Sequence, residues 1–244
     1  MAKSAALVKW DKKFAEKAKT AAAVETLGAG NRFSIKGGKL SFKNVEVPGN
    51  AVNVIIVASV FDNEYREGAY DPDVFESPVC FAFGTEEEGM APHKDAHKPC
   101  SKTCAECPYN EFGSASVGKG KACRQARNLC VVSADAESLE DAELAIISVP
   151  PTSLKAWKGY VHQLNNTLQR PAMSVVTEVK TVVIGTYPGL EFKLVSEIND
   201  AEALDAIEGR EEAAMKLLTT PYVYAEPKPK SAPARKTSAK ARKF

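Results

Sequence analysis

Four cysteines with the spacing C-x3-C-x2-C-x15-C constrain this chain more than any other feature of its sequence. They are Cys100, Cys104, Cys107 and Cys123, in a stretch rich in acids, Pro and Gly. Two thiols on a tight turn, answered by another further along the chain, can converge on one tetrahedral ion. Zinc would replace the hydrophobic core that this stretch lacks. We therefore predict a structural zinc site, closed by four thiolates and lacking the open position that catalysis needs.

Other interpretations of the cysteines stay open, among them that they bind no metal. Disulfides are disfavoured, because no segment resembles a secretion signal and the protein is expected to be reduced and cytoplasmic. C-x3-C-x2-C is also the iron–sulfur spacing of radical enzymes that cleave S-adenosylmethionine, but those enzymes commonly carry an aromatic residue where this chain has Glu106. His93 or His97 could replace one cysteine as a ligand, although exposed loop histidines are the simpler interpretation. Cys80 and Cys130 lie in apolar strands and are interpreted as ordinary buried thiols.

Short β-rich segments dominate the rest of the chain and predict a mainly β (α+β) fold. We expect an OB-like small barrel over residues 30–198, interrupted by a zinc-binding insertion at 85–125. An N-terminal helix (1–29), a C-terminal helix (199–220) and a disordered basic tail (221–244) are expected to flank it.

Three local patterns are specific predictions of secondary structure. The stretch RFSIKGGKLSF alternates apolar and polar residues around Gly37-Gly38, which is typical of a β-hairpin with a two-residue turn. The β-branched run at 52–61 fits a central strand. A capped segment beginning at Pro150 places apolar residues at helical spacing from Leu154 to Leu168, and residues 173–198 read as two strands around a turn.

The charges divide the chain into an acidic body and two basic ends. The last eighteen residues, 227–244, carry seven Lys and Arg and no acid, whereas residues 21–226 have a net charge of −10. A basic arm is typical of partners of nucleic acid, and equally of a solvated tail. No apolar run approaches the ~18–20 residues of a membrane span, so no membrane association is expected.

The sequence assembles no recognisable catalytic centre. It contains three histidines, no serine in a nucleophile elbow and no phosphate-binding glycine loop after a strand. Asp71-Pro72-Asp73 reads as a turn instead of a metal-binding pair. We therefore expect a binding protein and not an enzyme.

Aromatic and basic side chains around the cysteines favour single-stranded nucleic acid as the ligand. Cations that follow phosphates, combined with rings that stack on bases, are what binding without sequence preference requires. The candidate contacts from the insertion and from the barrel face are Tyr109, Phe112, Lys119, Lys121, Arg124, Arg127, Tyr65 and Phe83.

With these residues in hand, the chain resembles a group of bacteriophage proteins regarded as single-stranded DNA-binding proteins. The similarity is carried by RFSIKGGKLSF, by C-x2-C-P-x-N-x-F-G-S and G-K-G-K-A-C-R in the insertion, and by P-P-T-S-L-K-x-W-x-x-Y-V at the helix, over roughly residues 30–185. The resemblance implies an OB-type fold, a zinc-bearing insertion and coating of single-stranded DNA during replication and recombination. Such proteins commonly end in an acidic tail, whereas this tail is basic and ends in Phe244.

A second interpretation, which the acidic body favours, is a zinc-stabilised adaptor that binds a replication or transcription protein. A continuous basic groove around the insertion would favour DNA, and an apolar patch rimmed by acids would favour a protein partner. The sequence does not determine the oligomeric state.

Overall fold

The computed structural model describes residues 31–68, 77–116 and 118–223. The expected N-terminal helix, the Asp71-Pro72-Asp73 turn and the tail beyond residue 223 lie outside these ranges. Strands predominate over helices in the described ranges, so the predicted mainly β (α+β) class is confirmed. No helix in these ranges is long and apolar enough to cross a membrane.

Nine strands and three α-helices succeed one another in the described ranges. The strands are β1 (Phe33–Ser34), β2 (Ser41–Phe42), β3 (Val45–Glu46), β4 (Ala51–Tyr65), β5 (Cys80–Gly84), β6 (Arg124–Ser133), β7 (Ala145–Val149), β8 (Val175–Ile184) and β9 (Tyr187–Glu197). The helices are α1 (Leu154–Leu168), α2 (Ala201–Glu208) and α3 (Glu211–Leu218).

The predicted hairpin forms the first two strands of a small antiparallel sheet, β1-β2-β3, but the predicted two-residue turn is wrong, because residues 35–40 connect the two strands. Gly37 and Gly38 have φ values of 65° and 76°, a region that glycine adopts without steric cost, and this explains the turn at this pair. Phe33 and Phe42 face each other across the two strands and stack with their ring centroids 4.6 Å apart.

The central sheet is built around the long strand β4. Its strand order is β7-β6-β4-β8-β9, all antiparallel, and β5 also pairs with β4. One edge of β4 is occupied by β6, while the other edge is shared by β8 near Ala51 and by β5 near Tyr65. In the described ranges this sheet is open, since β7 and β9 lie at opposite ends of the order. The OB-like barrel therefore stays a prediction.

Helices cover both faces of the central sheet. Alternate residues of β4 point to opposite sides: Ile56 belongs to a core with Trp157 of α1, and Ile55 belongs to a second core with Ile207 of α2. A register shift between Ile56 and Ala58 interrupts this alternation.

The single helix predicted at the C-terminal end is wrong, because the structure has two. α2 ends at Glu208, Gly209 follows it, and α3 begins at Glu211. Arg210, between them, donates hydrogen bonds to the backbone carbonyls of Leu139 (2.9 Å) and Ala142 (2.7 Å). These contacts hold the junction against the loop before β7.

Candidate metal centre and adjacent aromatic surface

The predicted insertion lies between β5 and β6 and spans residues 85–123 in the structure, two fewer than expected. It follows the outer edge of β5, because His93 N–H donates to Phe81 O (2.8 Å) and Lys98 N–H donates to Val79 O (2.7 Å). The insertion is thereby held against the end of the central sheet where β4 finishes.

Five cysteines line one small cavity between the insertion and the sheet, which we call the thiol cavity. They are the four predicted ligands together with Cys80. The cavity has a volume of about 20 Å³, enough for one water-sized occupant. Cys80, interpreted from the sequence as an ordinary buried thiol, is half-buried and belongs to this cluster.

Local hydrogen bonds of the insertion set the positions of three of these thiols. Cys107 N–H donates to Cys104 O (3.4 Å), which closes the turn between them. Asn110 Nδ2 donates to Cys104 O (2.8 Å) at the 3-10 turn that follows. Cys123 N–H donates to Tyr109 O (2.7 Å), so the residue before β6 is drawn next to the C-x2-C turn.

Thiol ionisation in this cluster is opposed by its surroundings. Burial, followed by the neighbouring thiols, raises the pKa of Cys123 to about 12, and burial with the adjacent Cys80 raises the pKa of Cys100 to about 12. Burial also raises the pKa of Cys104. A divalent ion would bind by displacing protons from these thiols, so its affinity would fall in acid.

The donor set fits zinc, since five sulfur atoms are available for the four positions that a structural site uses. No group of three or more His, Cys, Asp or Glu side chains in the described ranges is already arranged as a metal site. The structure therefore contains the ligand types and the cavity, and the binding of zinc there stays a prediction.

Neither histidine of the insertion is among the residues that line the thiol cavity. His93 stacks on Phe81 with centroids 5.1 Å apart and accepts a hydrogen bond from Asp95 N–H (3.2 Å) at Nδ1. His97 is exposed. Cys130, as predicted, is buried in the core beside the C-terminal helices.

The eight predicted nucleic-acid contacts are divided between the two faces of the sheet. Residues directly opposite each other on paired strands point to the same face. Arg127 is opposite Phe61 and lies on the face of Tyr65, whereas Phe83 is opposite Asp62 and Arg124 is opposite Glu64 on the other face.

Aromatic rings cluster on the face of Tyr65, where the insertion packs. Tyr65 and Tyr109 stack with centroids 4.0 Å apart and an interplanar angle of 14°. Burial, followed by the Tyr109 hydroxyl, raises the pKa of Tyr65 to about 12. Phe112 is 83% exposed, and Lys121 Nζ lies 5.0 Å from the centre of its ring.

The four predicted cations differ in their exposure, hydrogen bonds and ring contacts. Lys119 is exposed, while Lys121 Nζ donates to Asn110 Oδ1 (3.1 Å) and Gln125 Oε1 (2.8 Å). The Arg127 guanidinium lies 4.0 Å above the Phe61 ring, and burial lowers its pKa.

Arg124 is paired with a buried carboxylate. Its Nη1 donates to Glu64 Oε1 at 2.7 Å, and Arg66 pairs with the same oxygen at 2.7 Å. Burial alone would raise the pKa of Glu64, but the two arginines outweigh burial and lower it. The charge of Arg124 is thus compensated inside the protein.

Phe83 lies under a segment that follows α3. Its ring is 5.8 Å from that of Tyr222 and 5.9 Å from that of His93, both measured between centroids. Ser77 Oγ donates to Val223 O (2.8 Å) and fastens the same segment, which we call the C-terminal strap (residues 219–223).

The strap reaches a buried polar network that the sequence analysis missed. Tyr222 Oη donates to Asp62 Oδ2 (2.6 Å), and Asn128 Nδ2 donates to the same oxygen (2.7 Å). Asn128 Oδ1 accepts hydrogen bonds from Ser148 Oγ (2.6 Å) and Arg32 Nη1 (3.3 Å). The run Asp62-Asn63-Glu64 within a strand was the available signal, because buried charges require partners.

Comparisons with protein-family models, curated proteins and solved structures find no match to this chain.

Proposed function

We propose that this protein binds single-stranded DNA without sequence preference, through the exposed side of its insertion, in phage replication and recombination. The protein acts as a binding protein and not as an enzyme, in the cytoplasm of the host cell. A structural zinc ion in the thiol cavity organises the insertion.

The observation that carries the proposal is the pairing of an exposed ring with a cation. Phe112 is 83% exposed, and an aromatic residue so far out of the core contributes little to folding. Lys121 lies over its ring at 5.0 Å, and the Tyr65–Tyr109 stack belongs to the same insertion surface. Exposed rings beside cations are the elements that stack bases and follow phosphates in single-strand binding proteins.

The phosphate contacts are assigned to Lys119 and Lys121 of the insertion and to Arg127, which lies on the face of Tyr65. Arg124 is a weaker candidate because Glu64 already compensates its charge. Phe83 is likewise a weaker candidate, since Tyr222 packs against it on the opposite face.

The proposed relation to OB-type folds is supported by β4. OB-type barrels are five-stranded and partly open. β4 pairs with three strands and carries a register shift between Ile56 and Ala58, an irregularity that bends and twists a sheet.

Fluorescence anisotropy of a labelled oligo-dT, titrated at several salt concentrations with duplex as competitor, tests the proposal. Binding should prefer the single strand and weaken with salt. Phe112→Ala should weaken binding by about 5- to 150-fold, the equivalent of ~1–3 kcal/mol for one stacked base. Lys119→Gln should reduce the salt slope by about 0.7.

Tyr187→Ala is the matched control for Phe112→Ala. Tyr187 is an aromatic residue with 65% exposure, located at the β8–β9 turn, at the opposite end of the central sheet from the insertion. Its loss should leave DNA affinity unchanged. Absence of binding at low salt, or an equal effect of both variants, would contradict the proposed surface.

One observation favours the adaptor as a second candidate. The β8–β9 turn exposes Val183 (74%) and Tyr187 (65%), two apolar side chains remote from the insertion. If the wild-type chain bound no DNA and Val183→Asp abolished capture of a replication or transcription protein, the adaptor function would replace the first proposal.

A further inference from the structure

Cys80 occupies a different environment from the other cysteine found in a β-strand. It lies in β5 directly opposite Tyr65 and lines the thiol cavity. Cys130 is fully buried in the core on the other face of the sheet. The two cysteines look alike in sequence, but only Cys80 faces the insertion.

The thiols around the cavity come from two kinds of element. Cys80 lies in β5, and Cys123 immediately precedes β6; these two strands flank the end of β4. Cys104 and Cys107 lie on one turn of the insertion. A metal ion held by one strand thiol, by the thiol that immediately precedes β6 and by two turn thiols would fasten the insertion to the sheet, and ligands on strands are held more rigidly than ligands on loops.

Cys100 is placed as a neighbour of this set. It follows Pro99, and its thiol donates to the carbonyl of Lys98 (3.4 Å). Cys100 therefore directs its proton to a backbone carbonyl and lies beside the other four thiols without belonging to their set.

We propose that the metal ligands are Cys80, Cys104, Cys107 and Cys123, and that Cys100, whose proton is donated to a backbone carbonyl, lies beside the site without binding the ion. This inference rests on the proposed zinc site and changes one ligand of the set predicted from spacing. Each of the four thiols gives up its proton when the ion binds, so the site is a zinc tetrathiolate.

The first test compares Cys80→Ser and Cys100→Ser, with Cys130→Ser as control, in the full chain. Zinc affinity is measured by competition with a chromophoric chelator, and thiolate number by the sulfur-to-cobalt absorption of the Co²⁺-substituted protein. Cys80→Ser should bind zinc at least tenfold more weakly and show fewer thiolates. Cys100→Ser and Cys130→Ser should behave as wild type. Wild-type affinity in Cys80→Ser, whatever Cys100→Ser does, would overturn the assignment.

The second test uses the wild-type chain, so misfolding of a variant cannot affect it. The zinc-loaded protein is treated with iodoacetamide and digested, and the alkylated cysteines are identified by mass spectrometry of the peptides. Cys100 should be modified, and Cys80 only after zinc is removed. Modification of Cys80 at the same rate with and without zinc would refute the assignment. A metal-loaded chain that fails to bind oligo-dT would remove the DNA-binding proposal and leave this ligand set intact.

Discussion

We expect the hydroxyl of Tyr222 to contribute substantially to the free energy of unfolding, although Tyr222 lies near the end of the described residues. Asp62 is 3% exposed, and its Oδ1 is buried without a hydrogen-bond partner. Its Oδ2 accepts from Tyr222 and Asn128. Tyr222→Phe would therefore remove one of two hydrogen bonds from a carboxyl group that water cannot reach.

The expected loss is about 1.5–3 kcal/mol when Asp62 is ionised, and about 0.5–1.5 kcal/mol when it is protonated. Burial, followed by the charge of Glu64, raises the pKa of Asp62. The folded protein thus holds this proton more tightly than the unfolded chain, so stability from this group falls as pH rises through the folded pKa. Tyr222 favours the ionised form, and its removal should therefore cost more at neutral pH than in acid.

Urea unfolding followed by far-UV circular dichroism, at pH 4.5 and pH 7.5, measures this difference. The control is Tyr187→Phe, which removes a hydroxyl from a side chain that is 65% exposed. In thermal melts at pH 7.5, the Tm of Tyr222→Phe should fall by roughly 1–12 °C, given a loss of ~0.5–3 kcal/mol and ~2–4 °C per kcal/mol for a chain of this size. Equal stability of the two variants at pH 7.5, or a larger loss in acid, would refute the reasoning.

Four further changes test other parts of the structure. Gly189→Ala should lower the free energy of unfolding by about 1–3 kcal/mol, because its Cβ would lie 2.9 Å from Ser153 Oγ. Gly159→Ala in α1 meets nothing within 4 Å and should raise the free energy of unfolding by about 0.5–1 kcal/mol. Urea unfolding measures the effect of each substitution. Arg124→Gln should lower the free energy of unfolding by under ~1 kcal/mol at pH 7, as expected for a partly exposed ion pair. This loss should disappear as pH falls through the lowered pKa of Glu64. Thermal melts at a series of pH values would show the change. A chelator added to the zinc-loaded protein should expose residues 85–123 to protease while the far-UV spectrum of the sheet persists, and unchanged protection would contradict a structural role for the ion.

Elements whose pattern is set by burial could be predicted from the sequence. The apolar stripe of α1 predicted Leu154–Leu168, and the structure has a helix with those bounds, because Trp157, Tyr160 and Leu164 all pack into one core. The β-branched run at 52–61 predicted a central strand for the same reason, although β4 continues to Tyr65. Its last residues are polar and buried, a combination that hydrophobic periodicity does not detect.

For residues that follow the register shift in β4, the sequence does not predict on which face of the sheet each side chain lies. One extra residue between Ile56 and Ala58 exchanges the two faces for everything that follows. Arg124 and Arg127 look equivalent in sequence, yet Arg124 pairs with Glu64 on one face and Arg127 stacks on Phe61 on the other. Sequence reasoning therefore named the candidate contacts without sorting them by face.

The candidate metal centre shows the same limit in its thiols. Spacing counts residues along the chain, and it groups Cys100 with Cys104 because three residues separate them. Cys80 joins the group through the pairing of β5 with β4, which places it opposite Tyr65 at the point where the insertion docks. Tyr222 reaches Asp62 across 160 residues by a similar route. Both contacts are made where β4 ends, so the proposed zinc site and the buried carboxyl depend on one strand that the cysteine pattern does not include.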